Sequence, residues 1–396
     1  MKKLIALMCS LMVIQFFACA KTSDTLKPGE TIKIGFIGPL TGNNSGYGIS
    51  PSHAVSIAVD EFNEQGGING FKVQLIVKDS AGNAKTGLAA ANKLIKEDKV
   101  LGIVGDIFSS PSLAIAPIAE AEKVVMISPG STHKELTDKG QFIFRNIIND
   151  AMQVVVFAKY LITVENAKTA AILYINNTYS KEIAMDFRGE FEKGGGHIVA
   201  VETAEPGTKN FRDKLRKIKE TQPEFLYLPN YVFDTALIVK QAKEIGLQAK
   251  ICSTDAFANP QIFDLLGDLA NGIVFSQKAD LQAGKKMKDF AAKFQHKWGG
   301  VPGSYSFNAY DAAYIILNAI KQSSTKSRAS DNLNIDRNKV RDFVAITKDY
   351  GGVSGSITFT STGDLACNIG IYVAENKSFK PIKNYKLDGQ DLIEVE

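Results

Sequence analysis

Only four histidines occur in the 396 residues of this chain, and they are scattered, which argues against a histidine-based metal site. Cysteines are as scarce. Cys9 falls inside an N-terminal apolar run and Cys19 ends it, so that Cys252 and Cys367 remain, either as one disulfide in an oxidising compartment or as two buried thiols. Excess charge is also missing. Removing Lys2 and Lys3 from 46 basic residues leaves 44 against 42 acidic ones, a balance too near neutral and too evenly spread for a nucleic-acid partner. The signatures of catalysis are absent as well: no G-x-S-x-G elbow, no G-x-x-x-x-G-K-[ST] phosphate loop, no H-E-x-x-H, and no G-x-G-x-x-G after the first strand. With no nucleophile beside a base, the chain reads as a binding protein, not an enzyme, and calls for no cofactor and no metal.

The first 18 residues read as a signal. Lys2 and Lys3 precede an apolar run, Leu4 to Ala18, that is too short to span a bilayer. It ends Phe16-Phe17-Ala18-Cys19, which resembles a lipoprotein signal with Cys19 as the lipidated N-terminus; Phe16 stands where such signals usually carry Leu. The alternative is an ordinary signal cut near Ala18 or Ala20. Residues 19–30 are polar and read as a tether between anchor and folded part.

From Thr31 strand-like and helix-like stretches alternate, which predicts parallel sheets with helices on both faces. The rest of the chain is organised around the stretch Ile103–Thr132, IVGDIFSSPSLAIAPIAEAEKVVMISPGST. Two apolar runs, Ile103–Val104 and Val124–Ile127, read as buried parallel strands, each followed by small polar residues. Ser110 and Pro111 predict a helix start between them. In such sheets ligands bind beyond the carboxyl ends of the strands, where hydroxyls and free helix N–H groups can hold a carboxylate without an arginine. The βα series restarts after residue 148: strands are expected at 169–175, 197–202, 225–228, 250–253 and 273–276. Further strands are expected at 356–359 and 369–373, and residues 321–334 read as a surface loop. Asp255 sits past a strand end with no need to cap the next helix, since Asn259-Pro260 can do that; it is expected to be unpaired there and the one acid at the site. From spacing alone, Tyr47 and Tyr231 are equally pocket walls or surface aromatics, and His133 is expected to face solvent.

The motifs IKIGFIGPLTGNNSGYG, EFNEQGGINGFKVQLIVKDSAGN, GIVGDIFSSPS and ISPGSTHKEL, followed by NNTYSKE, FLYLPNY, STDAFANP and the Tyr310-Asp311-Ala312 helix, together resemble the leucine/isoleucine/valine-binding family of periplasmic-binding proteins. These are the receptors of branched-chain amino-acid ABC importers, and the resemblance covers nearly all of Thr31–Val373. It implies the type I fold: two doubly wound α/β parallel-sheet lobes joined by three hinge crossings, with the ligand closed between them. Lobe I would comprise 31–147 and 279–350; lobe II would comprise 148–278, and 351–396 would complete lobe II and the hinge. It also implies the contacts. Ser109 and Thr132, with backbone N–H groups near Ser110 and Thr132, would take the ligand carboxylate. The Gly130 carbonyl and Asp255 would take the ammonium, and Tyr47, Phe108, Tyr179 and Tyr231 would wall the side-chain pocket. Phe108 and Gly82 stand where the family carries a disulfide.

The function so implied is that of an exported, lipid-anchored, monomeric solute-binding protein facing the periplasm or cell exterior, which hands a small amino acid-type ligand to an ABC permease. The alternatives are a sensor of the same fold or a receptor for a non-amino-acid carboxylate or amide.

Overall fold

The computed structural model describes residues 22–279, 284–388 and 391–395. The signal at 1–18 and Cys19 lie outside the described residues. In chain order the elements are β1 (Ser23–Leu26), β2 (Ile32–Gly38), α1 (Gly46–Glu64), β3 (Val73–Asp79), α2 (Ala84–Asn92), β4 (Gly102–Val104), α3 (Ser109–Ala121), β5 (Val125–Ser128) and β6 (Ile143–Arg145). The second run is α4 (Asp150–Thr163), β7 (Thr169–Ile175), α5 (Thr178–Lys193), β8 (His197–Ala204), α6 (Arg212–Glu220), β9 (Phe225–Leu228), α7 (Val232–Glu244), β10 (Lys250–Ser253), α8 (Gln261–Leu266) and β11 (Val274–Lys278). Then come α9 (Lys285–Trp298), α10 (Ser304–Ser323), β12 (Ser324–Lys326), β13 (Leu333–Asp336), α11 (Arg337–Ala345), β14 (Tyr350–Gly352), β15 (Gly355–Ile357), β16 (Ile369–Glu375), β17 (Ser378–Asp388) and β18 (Asp391–Val395).

Two sheets carry the architecture. The first is all parallel, in the order β3-β2-β4-β5-β6. The second holds a parallel set in the corresponding order, β8-β7-β9-β10-β11, and continues antiparallel through β16, β17 and β18. In both parallel sets the first strand sits inside and the second at the edge, so each sheet has a switch point beside its first strand, where the loops splay apart and open a crevice. The strands flanking those points are nearly all apolar and buried, as β2 (IKIGFIG) and β7 (TAAILYI) show.

Four features differ from the sequence expectation. Ser23–Leu26, expected within a tether, is a strand paired antiparallel with β13, and Asp24 there meets Arg337 at 2.7 Å. The expected loop 321–334 contains β12 and the start of β13, which form a hairpin with each other. At the C-terminus β17 and β18 extend the second sheet, where only one strand, 369–373, was expected; the terminal strand β18 is five residues long and carries Asp391 and Glu394, which suits an edge that must not recruit a further strand. The helix after β4 opens at Ser109, with Phe108 instead of Ser110 in the cap position and no side-chain cap bond.

The chain leaves the first sheet after β6 and returns to it after β11. On the third passage Asp311 on α10 accepts the N–H groups of Val353 and Ser354 at 2.9 and 2.8 Å, and the Lys278 ammonium donates to the Ser354 carbonyl at 2.9 Å. Beyond it Phe359 still packs on Phe144 of the first sheet. Among the described residues no helix is long and apolar enough to cross a membrane.

Candidate ligand-binding site

The site lies where the carboxyl ends of the two parallel sets face each other. On the first-sheet side it is built from two neighbouring loops, Asp106–Ser110 after β4 and Ser128–Thr132 after β5. The Ser128 hydroxyl ties them together by donating to the Asp106 carbonyl at 2.6 Å, and Ser112 donates to the same carbonyl at 3.1 Å. Ser128 also accepts the N–H of Ser131 at 2.9 Å. Gly130 is required because the loop passes against Ile107; a Cβ there would stand 2.5 Å from the Ile107 Cγ2. Ser109 is buried at the first turn of α3 and receives a hydrogen bond from the Ser131 hydroxyl at 3.4 Å. A helix start leaves the N–H groups of Ser109 and Ser110 without intrahelical acceptors, so this corner carries hydroxyls and N–H groups suited to an anion. Ser110 is set apart: it is half-buried and lines the mouth, a groove of about 720 Å³ shared with Asn176, Asn177 and Tyr231.

The second-sheet side carries carboxylates. Asp255, just past β10, is buried and held from three directions. Tyr179 and the Gln153 amide donate to one oxygen at 3.0 and 3.1 Å, and Tyr305 donates to the other at 3.0 Å. It is therefore not the partnerless acid the sequence suggested, nor is it the one acid present. Asp150, at the start of α4, is fully buried and accepts from the same Gln153 amide at 3.0 Å and from the Thr132 hydroxyl at 2.9 Å. The Thr132 proton expected to face a ligand is thus given to Asp150. Among the described residues neither acid forms an ion pair with Lys, Arg or His. Burial pushes the Asp255 carboxyl up, against the pull of hydrogen bonds from Gln153, Tyr305 and Tyr179. Burial and then the charge of Asp255 push Asp150 well above the usual carboxylate range. Asp106 on the other side is also fully buried, which raises it to about 7.

Aromatic rings close the space between. Phe108 stacks on Tyr231 with centroids 4.1 Å apart, and Tyr231 stacks on Tyr179 at 5.1 Å. Tyr47 lies in the first turn of α1, not in a loop, and meets Phe108, Tyr231 and Tyr305 at 5.5, 5.7 and 5.7 Å. Its hydroxyl donates to the Ala256 carbonyl at 2.9 Å and accepts from the Val232 N–H at 3.0 Å, so it bridges the two sides. Gly82 lies under Phe108, with room for a Cβ only 3.0 Å from the ring. His133, expected in solvent, is buried and faces Glu182 across the cleft at 2.5 Å. Beside it Lys134 reaches Asp186 at 2.8 Å. Cys252 and Cys367 do not form a disulfide, and no cluster of His, Cys, Asp or Glu that could hold a metal occurs among the described residues.

Sequence reasoning missed Asp106, Asp150, Gln153 and Tyr305. Asp106 had a usable signal, as a carboxylate directly after an apolar strand. Asp150 and Gln153 looked like the polar first turn of a helix, and nothing local marks Tyr305 on α10 as a partner of Asp255.

The family model described as periplasmic binding protein matches residues 31–377. The chain is 29% identical over 337 residues to the leucine-, isoleucine-, valine-, threonine- and alanine-binding protein of Pseudomonas aeruginosa, covering 85% of this chain and 87% of that one. It is similar in structure to a leucine binding protein of Thermotoga maritima, with a TM-score of 0.79, 27% identity, and coverage of 89% of this chain and 98% of that one. A branched-chain amino acid transporter substrate binding protein of Streptococcus pneumoniae, in complex with isoleucine, superposes with a TM-score of 0.79 at 26% identity, over 89% of this chain and 99% of that one.

Proposed function

The chain belongs to the periplasmic binding protein family, and from that premise we propose that it captures an α-amino acid between its two lobes and delivers it to an ABC permease. The observation that carries the reading is the pair Asp150 and Asp255, two buried carboxylates bridged by the Gln153 amide with no ion-pairing side chain beside them among the described residues. A buried ammonium must be paired or it costs several kcal/mol; the same holds for these acids, and an amino acid supplies the missing charge. Across the cleft, Ser109, Ser131 and the first N–H groups of α3 can receive its carboxylate. Tyr47, Phe108, Tyr179 and Tyr231 then surround the side chain. Gly130 contributes its carbonyl to the ammonium, and Ser110 lines the mouth.

We take lobe I as 31–147 with 279–350 and lobe II as 148–278 with 351–396, and Cys19 as the lipidated end of an exported, membrane-anchored monomer. The test is a thermal-shift screen of the mature protein against all amino acids and the matching 2-keto acids. A true ligand at one hundred times its Kd adds about 2.7 kcal/mol of stability. Amino acids should stabilise and keto acids should not; the reverse order overturns the reading.

A further inference from the structure

The first sheet has a second end. Its cleft loops follow β4 and β5, whereas the turns that precede β5 and β6 lie at the opposite pole, and α11 covers them. Arg337 donates to the Glu122 carbonyl before β5 at 2.9 Å, Arg341 donates to the Gln141 side chain before β6 at 2.6 Å, and the Arg341 guanidinium lies 5.2 Å from the Phe142 ring centre. The N-terminal segment arrives at this pole. Arg337 donates its N–H to the Thr22 carbonyl at 2.9 Å, β1 pairs along β13, and the buried Asp24–Arg337 ion pair fastens both.

Beside that point α11 shows an apolar face to solvent. Phe343 is 37% and Ile346 72% exposed. With Lys339 they follow the 3–4 spacing of one helical stripe, and Lys339 and Lys348 are exposed on either side. The acid within the stripe, Asp342, is engaged by Arg341 at 2.6 Å. Cys19 and Thr22 are three Cα steps apart, which can reach at most about 11 Å. Phe343 lies about 9 Å along the helix from Arg337, and Ile346 follows at its end. The exposed stripe is thus within the reach that a lipid at Cys19 allows, and its lysines match the sign an anionic leaflet attracts.

We propose that this pole of lobe I, where β1 meets the Lys339–Phe343–Ile346 face of α11, rests on the lipid bilayer. The proposal rests on lipidation of Cys19. It gives the anchor a second attachment, held while the receptor is not docked on its permease, so that lobe I does not swing on a long tether.

The test uses the full chain, processed and lipidated in cells, in vesicles of phosphatidylcholine and phosphatidylglycerol with brominated acyl chains. The single tryptophan, Trp298, ends α9, a helix packed on α1, and stacks on His53; it serves as the remote reporter in the wild type. In a Trp298→Phe background, Phe343→Trp should lose at least half of its emission on brominated vesicles, while wild-type emission falls by less than a tenth. Adding Lys339→Glu should weaken the quenching twofold or more on anionic vesicles. A chain that floats with the vesicles while the indole of Phe343→Trp stays unquenched overturns the surface alone. A chain that stays in the aqueous phase overturns the anchor and the surface together. Unquenched emission that shifts to the blue with protein concentration, without lipid, assigns the face to a second copy and also overturns the proposal.

Discussion

Two buried carboxylate sites in this protein have opposite surroundings. At the pole, Asp24 is closed in with Arg337 at 2.7 Å, and both side chains are almost fully buried. At the cleft, Asp150 and Asp255 are as deeply buried but, among the described residues, are met by neutral donors: an amide, hydroxyls and a backbone N–H. A carboxylate with its own guanidinium is complete, and its role is to hold a strand. Carboxylates given only neutral donors retain an unmet demand for positive charge, which is the property of a receptor. The difference predicts that breaking the first site costs stability and breaking the second costs binding.

The largest effect should come from Arg337→Ala, which takes the guanidinium away from the buried Asp24 and loosens β1. We expect a loss of about 3–5 kcal/mol in urea unfolding. Ligand affinity of the folded fraction should stay unchanged. A loss below about 1 kcal/mol would remove the distinction between the two sites.

Asp255→Asn should act in the opposite sense. Amino-acid binding should weaken by about 2–5 kcal/mol by calorimetry, whereas the unliganded protein should be no less stable, because the variant removes a buried charge that lacks a cation. Wild-type affinity should also fall on acidification, since protons compete with the ammonium for acids that burial already pushes upward, with the charge of Asp255 adding to the rise at Asp150. Equal affinity in variant and wild type would make Asp255 structural.

Asp106 sharpens the comparison from the other side of the cleft. Its carboxyl accepts the Phe108 N–H at 2.8 Å, and burial raises it to about 7. A carboxyl raised in the folded state contributes stability that is present below its unfolded value, about 3.9, and is lost as pH rises through about 7. Asp106→Asn should therefore stabilise the protein at pH 8, by up to about 4 kcal/mol at 1.36 kcal/mol per pH unit, and do little at pH 4. Melting curves at the two pH values decide it.

Ser109→Ala should cost about 1.5–3 kcal/mol of affinity, the range for hydrogen bonds to a charged group. Thr132→Ala should cost a similar amount by a different route, through Asp150, which loses one donor. The two losses should not add if both act on one bound zwitterion. Strict additivity in a double-mutant cycle would separate the two loops into independent sites.

Much of the fold is legible because the parallel strands are continuous apolar runs between turn residues. Thr169–Ile175 and Lys250–Ser253 can be read at both ends. The Ser-rich loops after β4 and β5 are legible for the same reason, since each follows directly from a buried strand. What cannot be read is whatever depends on a distant partner. β1 is four residues long and pairs with a strand some 310 positions away. β17 is mostly polar, with lysines at 380, 383 and 386, and β18 is five residues long with only Leu392 and Ile393 adjacent, so neither carries a long apolar run. In the site, Tyr305 and Gln153 reach Asp255 from helices separated from it by 50 and 102 residues. Asp255 was legible as an acid at a strand end. Its three donors and its acidic neighbour were not, because they come from tertiary approach, not from local pattern.

The smallest expected effect concerns charges that are not buried. Lys134, on the loop after β5, reaches across the cleft mouth to Asp186 at 2.8 Å and Glu182 at 3.5 Å on α5, with 41% of its side chain exposed. The hydrogen bond to Asp186 holds the ammonium proton more firmly than usual. Because the bridge joins the two sides of the cleft, Lys134→Ala weakens the closed form without touching the ligand. An exposed pair contributes about 0.2–1 kcal/mol, so affinity should fall by less than about fivefold, appearing as faster release with the association rate nearly unchanged. Salt screens such a pair over about 8–10 Å; the difference between variant and wild type should shrink at 1 M salt, while the deficit of Asp255→Asn, buried from solvent, should persist. If Lys134→Ala costs as much as Asp255→Asn, or if salt erases both deficits equally, charge at the mouth rather than the buried acid pair governs capture, and the contrast between the two kinds of carboxylate loses its functional meaning.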